Sequence, residues 1–148
     1  MEFTVQSMID RYNQYNKSFF FGELPSLDRI EFIVENKDDA DYGGYTKIDR
    51  DKSDFKSKDI YYIICVNAPT IYDEKDLNSV MCHEMIHIWQ FNDIDFKKYD
   101  SDYRWIVGHN SAFISKMKSI NYLAREFGLD VKVTLVKEPR LINNGSLL

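Results

Sequence analysis

The chain has three histidines, and two of them, His83 and His87, stand four residues apart in the stretch from Val80 to Gln90, VMCHEMIHIWQ. On an α-helix, residues four apart are turned by only about 40° and separated by about 6 Å of rise, so both imidazoles project from one face. Two nitrogens can then meet a single ion at about 2.0–2.1 Å each. Glu84 lies on the flank of that face, about 60° around the axis from His87, where it can reach a water beside the ion without becoming a ligand. The H-E-x-x-H pattern therefore supplies two metal ligands and a general base for hydrolysis. In a chain this poor in histidine the pattern would arise by chance in well under about one sequence in a hundred.

The competing reading is a core helix that carries hydrogen-bonded histidines, because Leu77, Val80, Met81, Met85, Ile86, Ile88 and Trp89 make it apolar on several sides. Imidazoles inside such a helix need partners, and one metal ion would satisfy both. A structural zinc site is usually closed by four protein ligands, often cysteine. Cys82 is turned about 100° from His83 and reads as core. A catalytic ion needs a third protein ligand and an open position. Asp93 has the spacing of a ligand following on the same helix, but Gln90 stands where a glycine would have to turn the chain. Glu126 is the only glutamate of the next predicted helix. His109, the one remaining histidine, begins that helix in GHNSAFISKM and is the favoured third ligand. Zinc is the expected ion, although imidazole also suits copper, nickel and iron.

These residues need elements to hold them. Val5, Met8, Ile9, Tyr12 and Tyr15 recur at helical spacing and predict an amphipathic helix over 4–18, ended by Gly22 and Pro25. RIEFIVE (Arg29–Glu35) alternates and reads as a strand; YGGYTKI (Tyr42–Ile48) reads as a second, its two glycines marking a bulge or a close approach by another backbone. The segment 47–59 mixes charges of both signs and reads as a solvated loop. IYYIICV (Ile60–Val66) reads as a buried strand. Asp73 and Asp76 resemble the capped start of the metal helix, expected over Glu74–Phe91. A polar stretch, 92–104, leads to the last helix, from about Asn110 to a stop at Gly128, with Phe113, Met117, Ile120, Ala124 and Phe127 on one face. Val131–Val136 is expected to add a short strand, and the tail 138–148 to fray. The order of elements is α+β, with three or four strands, in one domain over 1–148.

Composition sets wider limits. A hydrophobic fraction of 44% against 29% charged is enough for a packed core, and 15% aromatics argue against disorder. No run is long and apolar enough to span a bilayer, and the first twelve residues lack the basic start and apolar stretch of a secretory signal. Two cysteines, Cys65 and Cys82, make no disulfide framework and read as reduced, buried thiols of a cytoplasmic protein. The net charge of −5 divides unevenly: residues 1–96 carry 10 basic and 19 acidic side chains, residues 97–148 carry 9 and 5. The basic part is either a solvated face or a surface for an anionic partner such as DNA, with Lys116, Lys118 and Arg125 as the contacts.

HEMIHIWQ, followed by His109 and Phe113 in GHNSAFISKMKSIN, resembles the SprT-like metallopeptidases, the family of bacterial SprT and eukaryotic Spartan. FFFGELPSLDRIEF and the Gly-x-Tyr strand upstream also look like that family, and the likeness runs from about Phe19 to Phe127. The resemblance implies a zincin-like fold, zinc held by His83, His87 and His109, and Glu84 as general base. For Spartan-like members it implies cleavage of proteins trapped on DNA. The chain departs from the family in carrying Asn110 where glycine commonly follows the third histidine, and it has no C-x-x-C for a zinc ribbon. Tyr45 and Tyr103 are the candidates for steadying an oxyanion, and the YGGYTKI edge for pairing with an extended peptide. A scaffold that binds metal and partners without turnover, and a zinc hydrolase of small peptides or amides, are the alternative functions.

Overall fold

The computed structural model describes residues 3–92 and 108–135. Thr4 opens the first element: its Oγ1 accepts from the Ser7 N–H at 3.1 Å, and the Thr4 N–H donates to the Ser7 hydroxyl at 3.0 Å. This reciprocal capping box starts helix α1, Val5–Phe20, which buries Met8, Tyr12, Tyr15, Phe19 and Phe20. Val5, expected on the apolar face, is exposed in the first turn. The helix stops where Phe21 (φ 57°) and Gly22 (φ 75°) turn left-handed and the Gly22 N–H returns to the Asn16 carbonyl at 3.0 Å.

Three strands follow: β1 (Ile30–Glu35), β2 (Gly44–Ile48) and β3 (Tyr62–Asn67). The sheet order is β1-β3-β2, with β3 parallel to β1 and antiparallel to β2. All six residues of β3 are buried, which is why its sequence is a continuous apolar run rather than an alternation. On β2, alternation sends Gly44, Thr46 and Ile48 to one face and Tyr45 and Lys47 to the other. Thr46 bonds to Glu84, so its face is the one that meets the helix carrying Glu84.

That helix, α2 (Glu74–Asn92), begins as the two aspartates suggested: Asp73 accepts the Asp76 N–H at 2.8 Å, and Asp76 accepts the Tyr72 N–H at 3.0 Å. Helix α3 (Ser111–Phe127) follows, capped by Asn110, whose Oδ1 takes the Phe113 N–H at 3.0 Å, and stopped by Gly128 at φ 67°. Helix α2 packs against α1, α3 and the sheet, and its middle, Met81 through Ile88, is buried on every side. The fold is α+β, with three α-helices and a small mixed three-stranded sheet among the described residues.

The strand expected over Val131–Val136 does not form over 131–135; Val136 itself lies outside the described residues. The segment buries Val131 and Val133, yet side chains do the work of a neighbouring strand. Asn121 on α3 accepts the Val133 N–H at 2.8 Å and donates to the Val133 carbonyl at 2.9 Å. Ser79 on α2 accepts the Lys132 N–H at 3.0 Å. With those backbone groups satisfied, the segment needs no ladder. No helix among the described residues is long and apolar enough to cross a membrane.

Candidate metal centre

His83, His87 and His109 converge, each offering a ligand atom within 4.8 Å of the others. The first two come from one face of α2, as their spacing demands. His109 comes from the turn just before α3, one residue ahead of its cap, rather than from the helix itself. Gly108, at φ +114°, sets the direction of that turn with a backbone conformation that side-chain-bearing residues rarely adopt. Phe113, fully buried one turn into α3, is the common floor, with ring centroids 4.9, 4.9 and 4.6 Å from His83, His87 and His109.

The donor set fits a metal ion. The Nδ1 of His83 lies 2.9 Å from the Thr134 carbonyl, which can only accept, so Nδ1 carries the proton and Nε2 presents its lone pair. That Nε2 is 3.0 Å from Nε2 of His109. The Nδ1 of His87 is 2.9 Å from Gln90 Oε1, and its Nε2 is buried with no hydrogen-bond partner among the described residues. A buried nitrogen left this way costs free energy unless something coordinates it. Burial first, then the neighbouring His83 and His109, hold the His87 imidazole well below its usual pKa, which keeps it in the neutral form a metal requires.

Glu84 stands beside this cluster, 2% exposed. Burial pushes its carboxyl up to about 8, against a smaller lowering from Thr46. The Thr46 hydroxyl lies 2.8 Å from Glu84 Oε1 and 3.1 Å from the Glu84 carbonyl, fixing the side chain from the strand side. Gly44 makes that proximity possible. A Cβ there would sit 2.6 Å from the Cys65 carbonyl oxygen, 3.1 Å from Val80 Cγ1 and 3.5 Å from Glu84 Oε2. Of the two readings of the glycine pair, close approach therefore holds at Gly44, while Gly43 would meet only ordinary contacts at 3.5 and 3.6 Å.

His83 and Glu84 line a cleft of about 570 Å³. One wall is Tyr42, Gly43 and Gly44, at the entry to edge strand β2; the other is Lys132, Thr134 and Leu135, with Ile71, Tyr72 and Val80 adding apolar surface.

Not every candidate residue is gathered here. Tyr45 faces away from α2, across the ladder from Cys65, and its hydroxyl donates to Glu35 at 3.0 Å. It is withdrawn as an oxyanion donor because strand alternation puts it on the far side of the sheet from Thr46. Tyr103 and Asp93 lie outside the described residues. Glu126 is exposed on α3 and takes no part in the cluster. Lys116 does not present a free ammonium: Nζ donates to the Phe19 carbonyl at 2.8 Å and sits 4.8, 5.7 and 5.4 Å from the rings of Phe20, Phe21 and Trp89. It is withdrawn as an anion contact, since burial lowers its pKa and aromatic faces already solvate the charge. Lys118 and Arg125 are exposed, with Tyr122 between them at helical spacing.

Sequence reasoning passed over Thr46, Gln90, Asn110 and Thr134 as site residues. Asn110 carried a readable signal, an N-cap residue directly before the helical pattern. Gln90, three residues beyond His87, had the spacing of a helical neighbour. Thr134 had no signal, since its part rests on a backbone carbonyl brought in from 51 residues away.

In comparisons with known proteins, the model of the SprT-like family matches residues 8–134. No curated protein and no solved structure matches the chain.

Proposed function

Because the chain belongs to the SprT-like family, we propose that it is a zinc-dependent endopeptidase of the zincin type. The observation that carries this reading is the meeting of three imidazoles beside a buried carboxylate at the wall of an open cleft. His83, His87 and His109 would hold the ion. Zinc bound there would polarise the scissile carbonyl and lower the pKa of a coordinated water toward about 7.

The chain's own residues do the rest. Glu84, held by Thr46 from β2, takes a proton from the attacking water and delivers it to the leaving amine. A raised carboxyl pKa suits a group that must both accept and return a proton near neutrality. The backbone at Gly43–Gly44 gives an extended peptide an edge to lie along, and Tyr42, Ile71, Tyr72, Val80 and Leu135 offer its side chains apolar surface. Glu84 Oε2 would stand 3.5 Å from a Cβ at Gly44, so a peptide lying along that strand would run close to the base. The size of the cleft and its open edge favour a protein or peptide substrate over a small amide. With Tyr45 turned away, Tyr103 keeps the oxyanion role. A substrate carried on DNA is part of the proposal, with Lys118 and Arg125 flanking Tyr122 as the contact stripe. The two buried thiols support a reducing, cytoplasmic setting.

The test is a chelator-controlled digestion of casein by protein of measured metal content, with and without single-stranded DNA. Hydrolysis should track the metal, and Glu84→Gln should retain metal while losing turnover. Metal-independent cleavage, or full activity in Glu84→Gln, would refute the assignment.

A further inference from the structure

We infer that Gln90 is a positioning residue that couples the second metal ligand to the third, reading the N-terminus of helix α3 and setting the tautomer of His87 from it. The chain of constraints begins at a backbone N–H, whose polarity is not in question. The Phe113 N–H donates to Asn110 at 3.0 Å, which fixes the oxygen of that side-chain amide. The same Oδ1 lies 3.1 Å from Gln90 Nε2, and the Gly108 carbonyl lies 2.9 Å from it. Two acceptors at one end of the Gln90 amide require that end to be the NH2 group. A flipped amide would set oxygen against oxygen at both contacts.

Gln90 Oε1 is therefore turned toward His87 Nδ1, 2.9 Å away. An oxygen there accepts, so Nδ1 must carry the proton and Nε2 must keep its lone pair. Gln90 is 8% exposed and His87 fully buried, so water is poorly placed to substitute for either bond. The two residues that Gln90 Nε2 donates to, Gly108 and Asn110, are the immediate neighbours of His109. One amide thus orients His87 and anchors the turn that delivers His109. Glutamine is suited to this by having an acceptor and a paired donor on one rigid plane; glutamate lacks the donors, and leucine lacks both.

This inference rests on the metal reading of the three histidines, but its first test needs no metal. Long-range ¹H–¹⁵N NMR of the imidazoles in metal-free protein, at mildly alkaline pH, should show His87 as the Nδ1–H tautomer. Finding Nε2–H in the wild type would overturn the inference, and would do so whether or not the protein is a peptidase. Gln90→Leu should shift His87 toward Nε2–H and weaken zinc binding, measured by competition with a chromogenic chelator, by about 10–100-fold. Unchanged tautomer and unchanged affinity would overturn it.

Should Gln90→Leu fail to fold, the surface pair Asn110→Asp and Asn110→Ala carries the same test. Aspartate keeps the cap and the acceptor for Gln90, so wild-type affinity is expected; alanine removes both, so affinity should fall. Equal zinc affinity in the two would overturn the inference. A loss in alanine matched by an equal loss in aspartate would do the same.

Discussion

Replacing Gly44 with alanine tests how closely strand β2 and helix α2 approach. The new methyl would lie 2.6 Å from the Cys65 carbonyl oxygen and 3.1 Å from Val80 Cγ1. A carbon ordinarily stays about 3.3 Å or more from a carbonyl oxygen, so about 0.7 Å of overlap must be absorbed. The obstructing atom is backbone of the central strand, paired on both sides, and it cannot swing away as a side-chain tip would. Overpacking of this kind costs about 1–3 kcal/mol. Removing a glycine from the unfolded chain returns about 0.4–1 kcal/mol. The expected net loss is about 1–2 kcal/mol, which at a urea slope near 2 kcal/mol/M lowers the midpoint by roughly 0.5–1 M. The assay is urea unfolding followed by tryptophan fluorescence, with Gly43→Ala as control. Its methyl would meet only ordinary contacts, at 3.5 and 3.6 Å, so its midpoint should hold or rise slightly. Equal midpoints for the two variants would refute the close approach. Gly44→Ala should also lose activity beyond its stability loss, because easing the clash moves Thr46 away from Glu84.

Three further outcomes can be checked. Thr46→Val keeps shape but removes the donor 2.8 Å from Glu84; leaving a buried acceptor without its partner costs about 1–3 kcal/mol, so kcat should fall about 5–100-fold with metal content unchanged. Asn121→Ala strips both bonds from Val133 and should destabilise by about 1–2 kcal/mol; hydrogen exchange should quicken at 131–135 well before it does in β3. Burial, helped by the charge of Glu35, pushes the Cys65 thiol up to about 12, and burial drives Cys82 well above its usual value. At pH 8 the Cys65 thiolate is then about one part in ten thousand, so a thiol reagent should label neither cysteine in the native protein and both in urea. Labelling should rise with pH toward the shifted value, and rapid native labelling at pH 8 would contradict the burial.

The helical elements were largely legible because their signals are local. His83 and His87 share a face through helix geometry alone, and the stops at Gly22 and Gly128 use the left-handed turn that glycine permits. His109 was found by elimination and by family likeness, although it arrives from the turn before α3 rather than from its first residue. Tyr45 is a poor oxyanion candidate on strand periodicity, since alternation puts it on the face opposite Thr46, where its hydroxyl meets Glu35. The pairing of small residues at 44 and 46 already marked the side pressed against a helix. Lys116 was counted as a surface charge because its aromatic neighbours come from α1 and α2. Gln90 and Thr134 act only through contacts made by the finished fold. Of the strand expected at 131–136, residues 131–135 have the right alternation of burial, but pairing depends on what stands alongside, and there it is a side chain.

The run from Leu129 to Leu135 is buttoned to the body rather than zipped. A ladder spreads its grip over successive backbone rungs and yields as a unit. Here Ser79, Asn121 and His83 each fasten a separate point, so each can be undone or exchanged singly. The last fastening belongs to His83, one of the three imidazoles that could hold an ion, so any occupant that levers this segment outward would also pull on that candidate ligand.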